Sequence, residues 1–321
     1  MRYVEVGGTK LSVIGLGTWQ FGSREWGYGR DYASGEAGAI TSRALDLGIN
    51  LIDTAELYGF GRSERIVGRA LAHRRDEAFV ATKIAPFLPF DPVVSRRARG
   101  SARRLGVERI DLYQVHWPNP LFPSAPLFHT LERLRRQGLI THVGVSNHSL
   151  ARWRQAERDL AGPVLSNQVS YSLAVRSAET DVVGWAQEND RLIIAYSPLA
   201  QGLLSGRYTA SNPPGGVRAT NPLFLPENLE RAAGLLGSLR SVAAAHGATP
   251  SQVALAWLVR RPNVVVIPGA SSVAQLESNA AAADLELSDD EDGELTAASD
   301  AFRPRTGASA VPDLVRARLP F

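Results

Sequence analysis

Residues 48–83, GINLIDTAELYGFGRSERIVGRALAHRRDEAFVATK, decide the fold class of this 321-residue chain. They contain two short apolar runs, INLID (49–53) and AFVATK (78–83), and between them a stretch (63–71) whose apolar residues fall on one helical face. Short apolar runs of this kind indicate buried strands. The helical spacing of the apolar residues between the two runs indicates an amphipathic helix. A buried strand, a helix and a second buried strand form the repeating unit of a parallel sheet covered by helices.

The same alternation continues along the chain. Eight runs are predicted to be strands: IGLGT (14–18), INLID (49–53), AFVATK (78–83), IDLYQVH (110–116), ITHVGVS (140–146), VLSNQV (164–169), LIIAYS (192–197) and VVVIPG (264–269). Helical patterns cover residues 33–47, 63–71, 91–105, 127–137, 150–160, 179–188 and 250–259. Eight strand–helix units predict an α/β fold that closes into a (β/α)8 TIM barrel.

Three further segments lie outside these units. RYVEV (2–6) and LSVIG (11–15), separated by a turn-rich linker, predict an N-terminal β-hairpin. Residues 199–227 are irregular and are expected to form a lid or a binding loop, and an extra C-terminal helix is expected at 288–300. Because no stretch has the composition of an interdomain linker, residues 1–321 are expected to form a single barrel domain.

The composition narrows the classes of function. The chain has no cysteine, which excludes disulfides and zinc–thiolate sites, and no histidine pair has metal-ligand spacing with nearby carboxylates. The net charge is +3 and the cations form no long block, so no nucleic-acid partner is expected. No apolar run reaches the roughly 18 residues of a membrane span, and the N-terminus lacks a signal-peptide pattern. A cytoplasmic, metal-free protein is expected, and its oligomeric state is not predicted.

Polar side chains collect at the carboxyl ends of the predicted strands, where the active sites of such barrels lie. Asp53, Lys83 and His116 end strands two, three and four, and Tyr58 follows Asp53 in the next loop. Lys83 is one of only two lysines against thirty-three arginines, which favours a specific role for a single ammonium group. The later strands end in further polar residues: Ser146, Asn147, Asn167, Gln168, Tyr196 and Ser197.

These residue types suit the reduction of a carbonyl group. The reaction needs a hydride donor and a proton for the developing alkoxide, and the phenol of Tyr58 can supply that proton. A neighbouring ammonium, Lys83, is expected to lower the phenol's pKa toward working pH. The carboxylate of Asp53 can hold this ammonium in place, and the imidazole of His116 can orient the carbonyl oxygen.

The chain resembles the aldo-keto reductase superfamily over nearly its whole length, in the bacterial and potassium-channel-β-like branch. The order and spacing of several segments carry this resemblance: LSVIGLGTW (11–19), GINLIDTAELYG (48–59), ATK (81–83), DLYQVHWP (111–118), GVSN (144–147), NQVSY (167–171), YSPLAQGLLSG (196–206), and IPGASS (267–272) with Asn279.

The resemblance implies a catalytic tetrad and a cofactor site. The tetrad falls on Tyr58 as general acid, on Lys83 and Asp53, which tune it, and on His116, which places the substrate. The implied contacts of a nicotinamide cofactor are Gly17, Thr18, Trp19, Ser146, Asn147, Gln168, Tyr196, Ser197, Leu199, Gln201, Gly202, Gly206, Gly269, Ser271, Gln275 and Asn279.

The identity of the cofactor depends on the segment after IPG. Many members of the superfamily carry a cation there that meets the adenosine 2′-phosphate, whereas this chain has Ala270-Ser271-Ser272 and then Gln275. Neutral donors can bind a phosphate without compensating its full charge. NADPH is the expected cofactor, and use of NADH stays open.

Aromatic residues fall on the first four loops, around the expected carbonyl site. They predict a pocket for apolar or ring-bearing carbonyl substrates, with ordinary packing as the alternative for each. These residues are Trp19, Trp26, Tyr28, Phe87 and Trp117.

Two other functions compete with an NADPH-dependent carbonyl reductase. The first is a regulatory or redox-sensing subunit that binds the cofactor but turns over slowly. The second is a barrel isomerase or aldolase that uses Lys83 as a Schiff base, against which Tyr58 and the cofactor segments argue. The substrate itself is not predicted, because loops that choose substrates vary freely on one fold.

Overall fold

Eight parallel strands form the central sheet of the protein, whose structure, a computed structural model, describes residues 1–22 and 35–307. The strands follow one another around the sheet in chain order. Parallel bridges from Ile14 to Val266 and from Gly17 to Gly269 join the first edge of the sheet to the last. The eight strands are β3 (Leu16–Gly17), β4 (Leu51–Asp53), β5 (Phe79–Ile84), β6 (Ile110–Val115), β7 (Ile140–Ser146), β8 (Ser166–Ser170), β9 (Leu192–Tyr196) and β10 (Val264–Val266).

Helices cover the outside of this sheet, so the predicted (β/α)8 barrel is confirmed. The α-helices of the described residues are α1 (Glu36–Asp46), α2 (Arg62–Leu71), α3 (Asp91–Leu105), α4 (Ala125–Arg136), α5 (Leu150–Leu160), α6 (Val182–Glu188), α7 (Pro226–Arg231), α8 (Ala233–Ala245), α9 (Pro250–Val259), α10 (Val273–Ala281) and α11 (Asp289–Ala301).

The N-terminal hairpin is also confirmed, with β1 (Tyr3–Val6) antiparallel to β2 (Thr9–Ser12). The hairpin forms hydrogen bonds with residues that immediately precede barrel strands. The Ser12 N–H donates to Asn50, ahead of β4, and the Gly7 N–H donates to Asp190, ahead of β9. The hairpin therefore covers the amino end of the barrel and leaves the carboxyl end open.

Three helices were not predicted from the sequence: α7, α8 and α10. The α8 segment AGLLGSLRSVAAA is interrupted by Gly234 and Gly237, and glycine lowers the helical signal. Helix α10 begins after an N-cap residue, Ser272, whose hydroxyl accepts the N–H of Gln275. Serine is a preferred N-cap residue, so the sequence contained a signal for the start of this helix. The predicted helix at 33–47 begins at Glu36 among the described residues, and its first positions lie outside them.

The sheet register brings the polar strand ends to one level. Asp53 lies beside Ala81, Lys83 beside Gln114, and Ser146 beside Gln168. In residues 1–22 and 35–307, no helix has the length and apolarity that a membrane crossing requires.

Candidate active site

A buried ion pair lies at the carboxyl end of the barrel. The Lys83 Nζ donates to Asp53 Oδ2 at 2.5 Å, to the Thr54 carbonyl at 2.9 Å and to the Tyr58 hydroxyl at 3.3 Å. The side chains of Lys83 and Asp53 are 0% and 2% exposed. Desolvation makes an isolated buried charge costly, so the ammonium depends on these three oxygens. The pair brings three of the four predicted catalytic residues into contact.

The pKa of Tyr58 is raised rather than lowered, which corrects the sequence-based expectation. Burial raises the phenol's pKa, and this effect exceeds the lowering that the Lys83 ammonium causes. For Lys83, burial lowers the pKa, but the charge of Asp53 and the hydrogen bonds to Asp53 and Tyr58 raise it by more, so the net shift is upward. At neutral pH the site therefore holds a protonated phenol beside a charged ammonium.

The second oxygen of Asp53 accepts two side-chain amides. Gln168 Nε2 donates to Asp53 Oδ1 at 2.8 Å, and Gln114 Nε2 reaches the same atom at 3.3 Å. Gln114 was not selected from the sequence. It lies inside the apolar run of β6 and was read as part of the strand. A polar residue in a buried strand nevertheless indicates a specific polar contact. The two amides hold Asp53 from the side opposite Lys83.

His116 follows β6 and faces Tyr58 edge to face, with ring centroids 5.9 Å apart. Burial, followed by the nearby Lys83 charge, lowers the imidazole's pKa to about 3. The ring is therefore neutral at physiological pH and carries one N–H donor. Its Nδ1 is buried without a hydrogen-bond partner among the described residues.

A groove of about 380 Å³ runs across the barrel mouth from this cluster. The predicted residues that line it are Gly17, Thr18, Trp19, Asp53, Tyr58, His116, Trp117, Ser146, Asn147, Gln168, Tyr196, Ser197, Leu199, Gln201, Gly202, Gly269, Ser271 and Gln275. Lys83 lies beneath the groove, behind Tyr58 and Asp53. Residues that line it without having been predicted are Gln20, Pro198, Arg218, Ile267, Pro268 and Ala270.

Two residues predicted to contact the cofactor do not line the groove. Asn279 is 3% exposed and donates to the Gly269 carbonyl at 3.4 Å, so it supports the groove from behind. Gly206 follows a 3-10 segment (Ala200–Ser205) that is kinked at Gln201 and Gly202, and it does not line the groove.

Three residues of the groove wall have a strained backbone. Asn147, Ser197 and Gln201 have φ values of 58°, 49° and 56°, a left-handed conformation that residues other than glycine rarely adopt. A side-chain hydrogen bond stabilises the strained conformation of Asn147: the Tyr196 hydroxyl donates to Asn147 Oδ1 at 3.0 Å. Such conformations persist where the surroundings fix them, and they cluster at ligand sites.

The groove is also lined by a cation that the sequence analysis missed. Arg218 lines the groove together with Ser271 and Gln275, and its Nε donates to the Gln201 carbonyl at 3.0 Å. Gln275 Oε1 accepts the N–H and the hydroxyl of Ser271, both at 2.8 Å. Arg218 lies in the irregular 199–227 segment, where no periodicity indicates which way a side chain points.

The near end of the groove is aromatic. Trp19 is 39% exposed and stacks on Tyr58, with ring centroids 6.1 Å apart. Trp117 lines the groove, and Phe87 packs edge to face on Trp117 at 5.6 Å without lining the groove itself. The two other predicted pocket residues, Trp26 and Tyr28, lie outside the described residues.

Within the ranges 1–22 and 35–307, no cluster of His, Asp and Glu could hold a metal ion.

Comparison with known proteins finds one family. The aldo/keto reductase family model matches residues 13–300. The chain is 54% identical, over 320 residues and 99% of each protein, to an uncharacterized oxidoreductase of Mycobacterium tuberculosis. It is 31% identical over 318 residues to the NADH-specific methylglyoxal reductase of Escherichia coli, covering 90% of this chain and 95% of the relative. A solved structure of an aldo-keto reductase from Klebsiella pneumoniae in complex with NADPH is 30% identical, with a TM-score of 0.76, and the match covers 96% and 98% of the two chains.

Proposed function

We propose that this chain, which belongs to the aldo/keto reductase family and is an NAD(P)H-dependent oxidoreductase, reduces an aldehyde or ketone to an alcohol with NADPH. The observation that carries the proposal is the hydrogen bond between Lys83 Nζ and the Tyr58 hydroxyl in the groove wall, with Asp53 behind it. This arrangement puts a neutral proton donor next to a fixed positive charge at one end of a ligand-sized groove.

The residues of the groove fit a nicotinamide dinucleotide. The amides of Asn147 and Gln168 and the hydroxyl of Ser146 offer donors and acceptors to a carboxamide near Tyr58. The strained backbone at Ser197 and Gln201 lines the groove, and Arg218 offers a positive charge beside Gln201. When it is bound, the cofactor supplies the hydride.

Tyr58 donates the proton. Because its pKa is raised, the phenol keeps its proton until negative charge develops on the carbonyl oxygen. The Lys83 ammonium then stabilises the phenolate that forms, and Asp53 holds Lys83 in position. The neutral His116 ring orients the carbonyl oxygen through its N–H. The carbonyl carbon gains the hydride and its oxygen gains the Tyr58 proton, so the product is an alcohol.

NADPH is the proposed cofactor because Arg218 supplies the charge that the IPG segment lacks. NADH is the alternative, since one relative is named as NADH-specific. The proposed substrate is a small molecule that carries an aldehyde or keto group beside an apolar or aromatic part, in keeping with Trp19 and Trp117 at the near end.

Turnover of the wild-type protein tests the proposal. A panel of aldehydes and ketones, assayed with NADPH and NADH, should consume the reduced cofactor with at least one carbonyl, more efficiently with NADPH. Tight cofactor binding without turnover on any member would instead favour a regulatory subunit. A clear preference for NADH would contradict the cofactor assignment alone.

A further inference from the structure

We propose that Glu56 and Arg97 form a positioning pair that holds the Tyr58 loop against β5 and thereby sets the contact between the Tyr58 phenol and the Lys83 ammonium. The inference rests on the proposed reductase function and assigns that site two residues that touch neither substrate nor cofactor. Glu56 belongs to the DTAELYG segment (53–59), but sequence analysis gave it no role.

Glu56 joins the Tyr58 loop to the strand that carries Lys83. It lies two residues before Tyr58, and its N–H donates to the Lys83 carbonyl at 3.3 Å. Its carboxylate accepts the Ala85 N–H at 2.7 Å. The loop is thus fixed to β5 on both sides of Ile84, with Lys83 on the same stretch of backbone. Any displacement of Glu56 therefore moves Tyr58 relative to Lys83.

Arg97 holds Glu56 in this place from α3. Its Nε donates to Glu56 Oε2 at 3.1 Å and its second guanidinium nitrogen bonds Glu56 Oε1, so the pair is bidentate. The remaining nitrogen donates to the Phe87 carbonyl at 3.0 Å. The Glu56 side chain is only 9% exposed and that of Arg97 22%, so solvent screens the pair little. One side chain therefore ties together α3, the loop after β4 and the loop after β5.

The same helix offers a matched control. Arg104 lies seven residues after Arg97 and pairs with Glu64, which is 0% exposed, at 2.5 Å. Glu64 also accepts the Thr82 hydroxyl at 2.8 Å, and none of these three residues lines the groove. Loss of either arginine leaves a buried carboxylate without its cation, so both substitutions should destabilise the fold. Only the loss of Arg97 should change the position of the Tyr58 side chain.

The experiment compares Arg97→Gln and Arg104→Gln with the wild type in the full-length protein. The measurements are thermal unfolding, the Kd of NADPH, kcat and the solvent deuterium isotope effect on kcat. Both variants should unfold at a lower temperature and keep the Kd of NADPH. Arg97→Gln alone should lose about ten- to a hundredfold in kcat, because a small misplacement of a catalytic group has an effect of that order. Its solvent isotope effect should rise, because proton transfer from Tyr58 becomes slower.

A second variant keeps the test decisive if Arg97→Gln does not fold. Glu56→Gln preserves the size of the side chain and an acceptor for the Ala85 N–H, but removes the charge that Arg97 binds. It should also lower kcat and raise the isotope effect. The inference is overturned if the folded variants at 56 and 97 have the kcat and isotope effect of Arg104→Gln. A wild-type protein without reductase activity would instead overturn the proposed function.

Discussion

Tyr58 is subject to two opposing effects on its pKa, and their balance suits an acid catalyst. Burial disfavours the phenolate, while the Lys83 ammonium 3.3 Å from the hydroxyl favours it. In the resting site burial dominates, so the phenol is protonated. In the proposed proton transfer, the ammonium would stabilise the charge that develops on the phenol oxygen. An interaction that strengthens as the transition state forms accelerates the reaction, whereas one of constant strength does not.

The low pKa of the His116 side chain leads to a prediction of how the reaction rate depends on pH. An unperturbed imidazole titrates near pH 6.5, but burial and then Lys83 lower the pKa of His116 to about 3. We expect kcat/KM for carbonyl reduction to show no titration step near pH 6.5, because the imidazole is neutral on both sides of it. His116→Gln, whose amide cannot titrate, should give a profile of the same shape at a lower rate. A step near pH 6.5 that disappears in the variant would show that the imidazole titrates there.

At the scale of elements, the loop that follows β9 completes the groove. Arg218 belongs to a short 3-10 helix (Gly216–Thr220) in this loop and bonds the Gln201 carbonyl at 3.0 Å. Strand β9 was predictable because its apolar run is bounded by polar residues. The loop was not, because turns of irregular backbone carry no period from which a side-chain direction can be derived. The sequence therefore showed that Arg218 is present but not that its side chain lines the groove.

Arg218→Gln tests the role of this loop. A charge-assisted contact contributes about 1.5–3 kcal/mol, so the kcat/KM for NADPH should fall roughly ten- to a hundredfold. The value for NADH, which lacks the 2′-phosphate, should change little and serves as the internal control. Equal losses with both cofactors would show that Arg218 does not read the phosphate.

At the scale of the whole molecule, closure of the barrel depends on a close approach of its first and last strands. Gly17 N–H donates to the Pro268 carbonyl at 3.2 Å, and a Cβ on Gly17 would lie 2.6 Å from the Ile267 carbonyl oxygen. In the sequence analysis, Gly17 was expected to contact the nicotinamide cofactor. The seam of the barrel gives a second reason for it, one that only the folded structure reveals.

Gly17→Ala should therefore destabilise the protein by about 1–3 kcal/mol, the usual effect of overpacking. Gly38→Ala is the control: Gly38 lies in α1, and an added Cβ there meets nothing within 4 Å. In a helix this change should stabilise the fold by roughly 0.5–1 kcal/mol. Equilibrium denaturation of both variants measures the difference. Equal stability of the two would show that the seam tolerates a side chain.

The global architecture was more accessible from the sequence than the site's supporting contacts. Strands such as β7 follow from apolar runs with polar ends, and their parallel order follows from the helices between them. The tetrad could be proposed because strand ends meet at one face of a barrel. Gln114 and Glu56 could not be assigned, because their importance lies in which atom they touch: Asp53 Oδ1 in one case, the Ala85 N–H in the other. Sequence spacing contains no such information.

The central claim is that Tyr58 delivers the proton in NADPH-dependent carbonyl reduction. The most direct test is single-turnover reduction by Tyr58→Phe, with NADPH binding measured in the same preparation by quenching of tryptophan fluorescence. The variant should bind NADPH as the wild type does and reduce the carbonyl about 10²- to 10⁴-fold more slowly, the usual effect of losing a general acid. Reduction at the wild-type rate with NADPH bound would contradict the claim.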